Sequence, residues 1–199
     1  MKLTNQDQVQ SLDPVFGRMA AQVGQQAWSL PQLTIREKAF GFLAADLCTA
    51  NLGFPLATHV QMAGANGVSV AECLAAGEPK PVNPEAQQLP AEVRAGLADL
   101  SEQFAELVAD QFAQRWGEDN ELTPRERALC CLATDVVNQT LDESLALHVE
   151  LAVAAGAGRS EIHAVLLLVA EYGIAKAWRA HRALHHVAVT DNQKGSTLS

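Results

Sequence analysis

No Cys-x-x-Cys pair occurs anywhere in the 199 residues, and there is no basic stripe, no leader-type apolar segment and no long hydrophobic run. Each absence excludes something. The four cysteines, Cys48, Cys73, Cys130 and Cys131, are not spaced as a disulfide framework, and Cys130-Cys131 falls inside a helical pattern, so they read as reduced, buried thiols. A formal net charge of −9 argues against nucleic acid and against an anionic membrane surface as partners. The longest apolar run, Ala164–Ala170, is far shorter than the ~20 residues that a membrane helix needs. The start, Met1–Gln6, has no apolar h-region, and the expectation is a soluble cytoplasmic protein. Strand signals are missing too: β-branched runs are short, and no Asn-Gly or Asp-Gly turn separates alternating segments. The expected class is all-α.

What is present is a repeat. Hydrophobic residues make up 48% of the chain, enough for a sizeable core. At an offset of 89 residues, Leu33–Glu72 matches Leu122–Glu161 without a gap. Identical pairs include Thr34/Thr123, Arg36/Arg125, Glu37/Glu126, Asp46/Asp135, His59/His148 and Glu72/Glu161. Such self-similarity indicates two copies of one helical unit. The expected organisation is a first helical repeat over 13–76, a proline-rich linker over 77–90, a second repeat over 91–188 and a flexible tail over 189–199.

Helix signals fill this frame. Residues 1–12 are polar and read as loose chain. Asp13-Pro14 opens a helix whose apolar stripe is Val15, Met19 and Val23, with Phe16 and Ala20 beside it. Thr34 with Glu37, and Thr123 with Glu126, form capping-box patterns. The histidine helices run to Asn66-Gly67 and to Gly156. Ala91–Trp116 reads as one long amphipathic helix, and a third helix of the second repeat runs from Glu161 through Trp178, apolar almost all round over Ile162–Ala170.

The repeated residues carry the candidate chemistry. Leu56, His59 and Ala63 share a helix face, as do Leu145, His148 and Ala152; Asp46 and Asp135 each follow an apolar stripe of the preceding helix. Each repeat therefore aims an aspartate and a histidine at its core, where they must find partners or a wet pocket. A histidine held by a carboxylate is a usable acid or base near neutral pH. An Asp–His pair can equally tie two helices together and do nothing else. Glu37 and Glu126 are candidates as well, with a plainer reading as helix-start carboxylates. Tyr172 and Glu171 are candidates for binding substrate. His181 and His185 stand four apart, a metal-ligand spacing, but cations belong at a helix C-terminus anyway and no metal is expected.

The stretch Leu122–Arg127, then His148, Ala154-Ala155-Gly156, Glu161-Ile162 and Tyr172-Gly173, resembles the carboxymuconolactone decarboxylase and alkylhydroperoxidase family. The resemblance implies an all-α fold and assembly into rings of six units, so a two-unit chain would form a homotrimer. It departs from the peroxidase branch: the positions of that branch's thiol pair hold Leu52 and Pro55, and Leu141 and Ser144. Thiol–disulfide turnover has no thiols to run on there. The family's glutamate also lies closer to its histidine than Glu37 and Glu126 do, so Asp46 and Asp135 stand in for it. What the resemblance implies is the decarboxylase branch: a cofactor-free lyase acting by His/carboxylate acid–base chemistry on a small carboxylated or lactone-like metabolite. The alternatives are a cofactor-free isomerase or cyclase, or a small-molecule-binding ring protein without catalysis. Because only the second repeat keeps a third helix, with Glu171 and Tyr172, the working site is expected at His148.

Overall fold

The computed structural model describes residues 5–69, 72, 89–116 and 122–187, all helix and connecting turns with no strand among them. The expected linker, but for Leu89 and Pro90, and the expected tail lie outside these residues. The chain divides into two compact units, one of residues 1–73 and 124–199 and one of residues 74–123.

In the larger unit, α1 (Gln6–Leu12) precedes α2 (Pro14–Trp28), α3 (Ile35–Cys48) and α4 (Phe54–Ala65). The second repeat contributes α7 (Pro124–Asn138), α8 (Glu143–Ala154), α9 (Arg159–Leu168), a 3-10 turn (Val169–Tyr172) and α10 (Ile174–Leu184). The centre is the pair α3 and α7. Arg36 reaches Glu126 near the start of both helices, and Cys48 reaches Thr134 near their ends, so the two run side by side in the same direction. Their partners are exchanged symmetrically. Arg36 Nε lies 2.7 Å from Glu126 Oε1, and Arg125 Nε lies 2.6 Å from Glu37 Oε1. Arg36 also pairs with Glu72, and Arg125 with Glu161 at 3.6 Å. The identical residues at the 89-residue offset thus fasten each repeat to the other. Phe40, Phe42, Leu129, Leu132, Ile162 and Leu166 fill the core around this pair.

The smaller unit holds α5 (Ala91–Leu100) and α6 (Glu102–Trp116). The expected single helix is broken at Ser101, whose backbone is extended (φ −167°, ψ 118°). Its hydroxyl accepts from Phe104 N, restarting the helix as a cap, and Arg94 pairs with Glu102 across the break at 2.6 Å.

Three further expectations are corrected. Residues 6–12, read as loose, form α1, anchored where Asn5 Nδ2 donates to Thr58 Oγ1 (3.2 Å) and Gln61 Oε1 (3.0 Å) on α4. On α2 the apolar stripe of Val15, Phe16, Met19 and Val23 faces outward; the buried face is instead Gly17, Ala21, Ala27 and Trp28. Small residues won there because α1 crosses closely, and a Cβ on Gly17 would come within 2.5 Å of Gln10 Cα. Finally, the third helix of the second repeat does not run through. It tightens to 3-10 at Val169 and breaks at Gly173, whose φ of 152° favours glycine.

Candidate functional site

The break at Gly173 explains the site. It leaves Glu171 and Tyr172 on a short turn that packs on α2, α3 and α7 instead of continuing outward. From there Tyr172 Oη donates to Asp46 Oδ1 at 2.7 Å, and Glu171 Oε1 lies 3.8 Å from His59 Nε2. Both candidate substrate-binding residues therefore serve the first-repeat histidine. The expectation that they complete a site at His148 is overturned by the way the turn crosses onto α3.

Asp46 is fully buried and satisfied by two donors. His59 Nδ1 sits 2.6 Å from Oδ2, and Tyr172 holds Oδ1. With Nδ1 held against the Asp46 carboxyl, Nε2 is the ring nitrogen that faces Glu171. The ring's orientation is fixed by an aromatic stack. Phe42 lies 4.4 Å from the imidazole, nearly parallel at 11°, and Trp28 leans on Phe42 at 5.2 Å. Trp28 is pinned in turn by the Lys38 ammonium, which donates to its carbonyl at 2.8 Å. Burial pushes the Lys38 pKa down, and the nearby Glu37 opposes that.

A cavity of about 220 Å³ opens on this arrangement, walled by Trp28, Phe54 and Met62, with His59, Thr58 and Glu171 as its polar groups. Burial raises the Glu171 carboxyl to about 7, with Asp46 adding to the rise and His59 opposing it. Burial and the bond to Asp46 push the Tyr172 phenol far above its ordinary value. At neutral pH the site thus offers an oriented imidazole and a carboxyl balanced between its two forms.

The second-repeat pair has the same core and different surroundings. His148 Nδ1 lies 2.6 Å from Asp135 Oδ2, and Asp135 Oδ1 accepts from Thr140 (2.6 Å) and Ser144 (2.7 Å). The first repeat has Asn51 and Pro55 at those positions, and Tyr172 supplies the missing donor to Asp46. Burial works against the charged form of His148, yet hydrogen bonds to Asp135 and Cys131 outweigh it and raise the imidazole to about 10.

The other candidates lie apart from this chemistry. Glu37 is committed on both oxygens: Oε2 accepts from Thr34 N at 2.7 Å in a complete capping box, and Oε1 pairs with Arg125. Glu126 is engaged with Arg36. His181 stacks on His163, with their Nδ1 atoms 3.2 Å apart, and burial lowers both pKa values. Among the described residues no three histidine, cysteine or acidic side chains gather as metal ligands. Cys48 is exposed, and Cys130 and Cys131 are half-buried rather than fully buried as expected. Sequence reasoning missed Trp28, Phe42 and Cys131. The last two occupy equivalent positions, 42 and 131, and their mismatch beside an identical Leu43/Leu132 pair was the available signal.

Residues 98–186 match the model of the carboxymuconolactone decarboxylase family. Over these residues the chain is similar to that family. A crystal structure of a candidate gamma-carboxymuconolactone decarboxylase subunit from Burkholderia xenovorans superposes with a TM-score of 0.62 at 22% identity, covering 90% of this chain and 88% of that one. At that identity it supports the fold alone. No curated protein matches. No described helix of the chain is long and apolar enough to cross a membrane.

Proposed function

We propose that this chain is a cofactor-free lyase of the decarboxylase type whose working site is the first-repeat cavity at His59. The observation that carries the reading is that cavity, because it brings an oriented imidazole and a carboxyl raised to about 7 together against apolar walls. Its volume suits a small metabolite. Apolar walls favour loss of a carboxylate, since the charged substrate is poorly solvated there and carbon dioxide is neutral.

The proposed step is as follows. The protonated Glu171 donates a hydrogen bond to the bound acid. The bond from the carboxylate carbon to its neighbour breaks, and its electron pair moves onto an adjacent carbonyl. Carbon dioxide leaves, and the proton on Glu171 passes to the carbon left behind. His59 Nε2, 3.8 Å away, then returns a proton to Glu171 from solvent. Asp46 and Tyr172 hold the imidazole in the tautomer this needs. Glu37 and Glu126 are left out of the chemistry because ion pairs engage them.

Assembly belongs to the same reading. The outward apolar stripe of α2 and the exposed Ile174 and Trp178 on α10 support a homo-oligomer, which we take to be a trimer. Carbon dioxide release from small β-keto or lactone-bearing acids tests the function. No release from any such acid, with the cavity intact, contradicts it.

A further inference from the structure

The wall of the His59 cavity has a shape and a charge of its own. On α2, Gly17, Ala20, Ala21 and Gly24 follow at i, i+3, i+4 and i+7, so one helix face brings little more than backbone and methyl groups to the cavity. Trp28 and Met62 bound the same space, which leaves a slot of about 220 Å³, room for one apolar ring. Among the described residues that line it, none is a lysine or an arginine. The basic group in the wall is His59, and its Nδ1 lies 2.6 Å from the buried Asp46, so a charge on the ring is offset where it arises. Lys38 gives its ammonium to the Trp28 carbonyl at 2.8 Å. The start of α4 is the other place where an anion could settle, and it has few amides to offer. Pro55 has none, Leu56 N donates to Asn51 O at 3.3 Å, and Ala57 N donates to Gly53 O at 3.1 Å.

We propose that this cavity selects acids with a single carboxylate on an apolar, ring-sized body and rejects dicarboxylates of the same shape. The inference rests on the lyase reading for where that carboxylate sits, beside Glu171 and His59. One carboxylate is satisfied there, because a protonated Glu171 donates to it, and burial holds the Glu171 carboxyl at about 7. A second carboxylate has to lie along the rest of the wall, at Ala21, Gly24, Met62 or Trp28, where no cation meets it. Stripping water from an unpaired carboxylate is costly, and the Asp46 carboxylate behind His59 adds like charge. Loss of the single carboxylate as carbon dioxide leaves a neutral product, which suits a wall of this kind throughout.

The test is isothermal titration calorimetry of the full chain at neutral pH with three ligands built on one ring: 4-methylbenzoate, 4-carbamoylbenzoate and terephthalate. None has the ketone that the proposed step needs, so binding is read apart from chemistry. 4-Methylbenzoate is expected to bind at least ~10-fold tighter than terephthalate. 4-Carbamoylbenzoate, which has the shape of terephthalate with one charge fewer, should also bind tighter than terephthalate. Ala21→Leu, which fills the slot, should abolish binding of 4-methylbenzoate. The wild-type comparison needs no variant, so it stands if Ala21→Leu fails to fold. Terephthalate binding as tightly as 4-methylbenzoate, or neither binding, overturns the proposal. So does 4-carbamoylbenzoate binding no tighter than terephthalate, since size and not charge then sets the preference, or 4-methylbenzoate binding unchanged by Ala21→Leu in folded protein. Carbon dioxide release from a dicarboxylate, with the preference missing, would overturn this inference and keep the lyase reading. The preference present, with no release from any acid, would do the reverse.

Discussion

Asp46 shows most directly how single residues set this site. It is fully buried, and its two oxygens accept from His59 and Tyr172. Removing one donor leaves part of a buried carboxylate unsatisfied, so Tyr172→Phe should cost about 1–3 kcal/mol by urea denaturation. Glu171 gives a signed pH dependence. Its folded pKa of about 7 lies above the ~4.3 of an unfolded glutamate, so the native state is favoured with the proton on. That contribution is complete below the unfolded value and is lost as pH rises through about 7. Glu171→Gln should therefore raise Tm at about pH 8 and leave it nearly unchanged at about pH 4. His148 behaves likewise at higher pH. Its folded value of about 10 exceeds the ~6.5 of an unfolded histidine, so its stabilisation is full below that value and falls away as pH climbs towards 10. Urea midpoints should decline over that window in the wild type and decline less in His148→Gln.

At the scale of the element, the 3-10 turn and its glycine decide which repeat is completed. Gly173 sits at φ 152°, where a Cβ is strained, so Gly173→Ala should destabilise by about 1–3 kcal/mol and displace Glu171 from His59. Calorimetry measures the first effect, and loss of the raised Glu171 titration measures the second. The seam of α3 with α9 is equally tight: a Cβ on Gly41 would meet Leu168 Cδ2 at 2.7 Å. These features separate what was legible in the sequence from what was not. The Thr34–Glu37 capping box, the faces of the histidine helices and the Asp–His pairing were legible, because each rests on local periodicity and spacing. Which histidine receives Glu171 and Tyr172 was not legible. That depends on a break at Gly173 and on the path of a turn across α3, both tertiary. The stripe on α2 misled for a related reason: its large apolar residues are exposed, while Gly17 and Ala21 admit α1 and the cavity. Nor did the spacing of Glu37 and Glu126 disclose their exchange between repeats, visible only once Arg125 and Arg36 meet them.

For the whole molecule, the exchanged ion pairs make the larger unit a pseudo-symmetric body whose two histidine sites diverge. One has an apolar ring and a titrating carboxyl beside the imidazole; the other has a thiol and two hydroxyls. Exposed Val15, Phe16 and Met19 on α2 leave that body with an apolar surface suited to self-association. Light scattering at micromolar concentration should give a trimer, and Met19→Glu should weaken it. The central claim, that the first repeat carries the proton chemistry, is tested most directly by carbon dioxide release from a decarboxylated substrate in wild type, His59→Ala and His148→Ala. The expected result is a loss of ~10²–10⁴ in rate for His59→Ala with His148→Ala retaining most activity. Loss confined to His148→Ala, in folded protein, would contradict it.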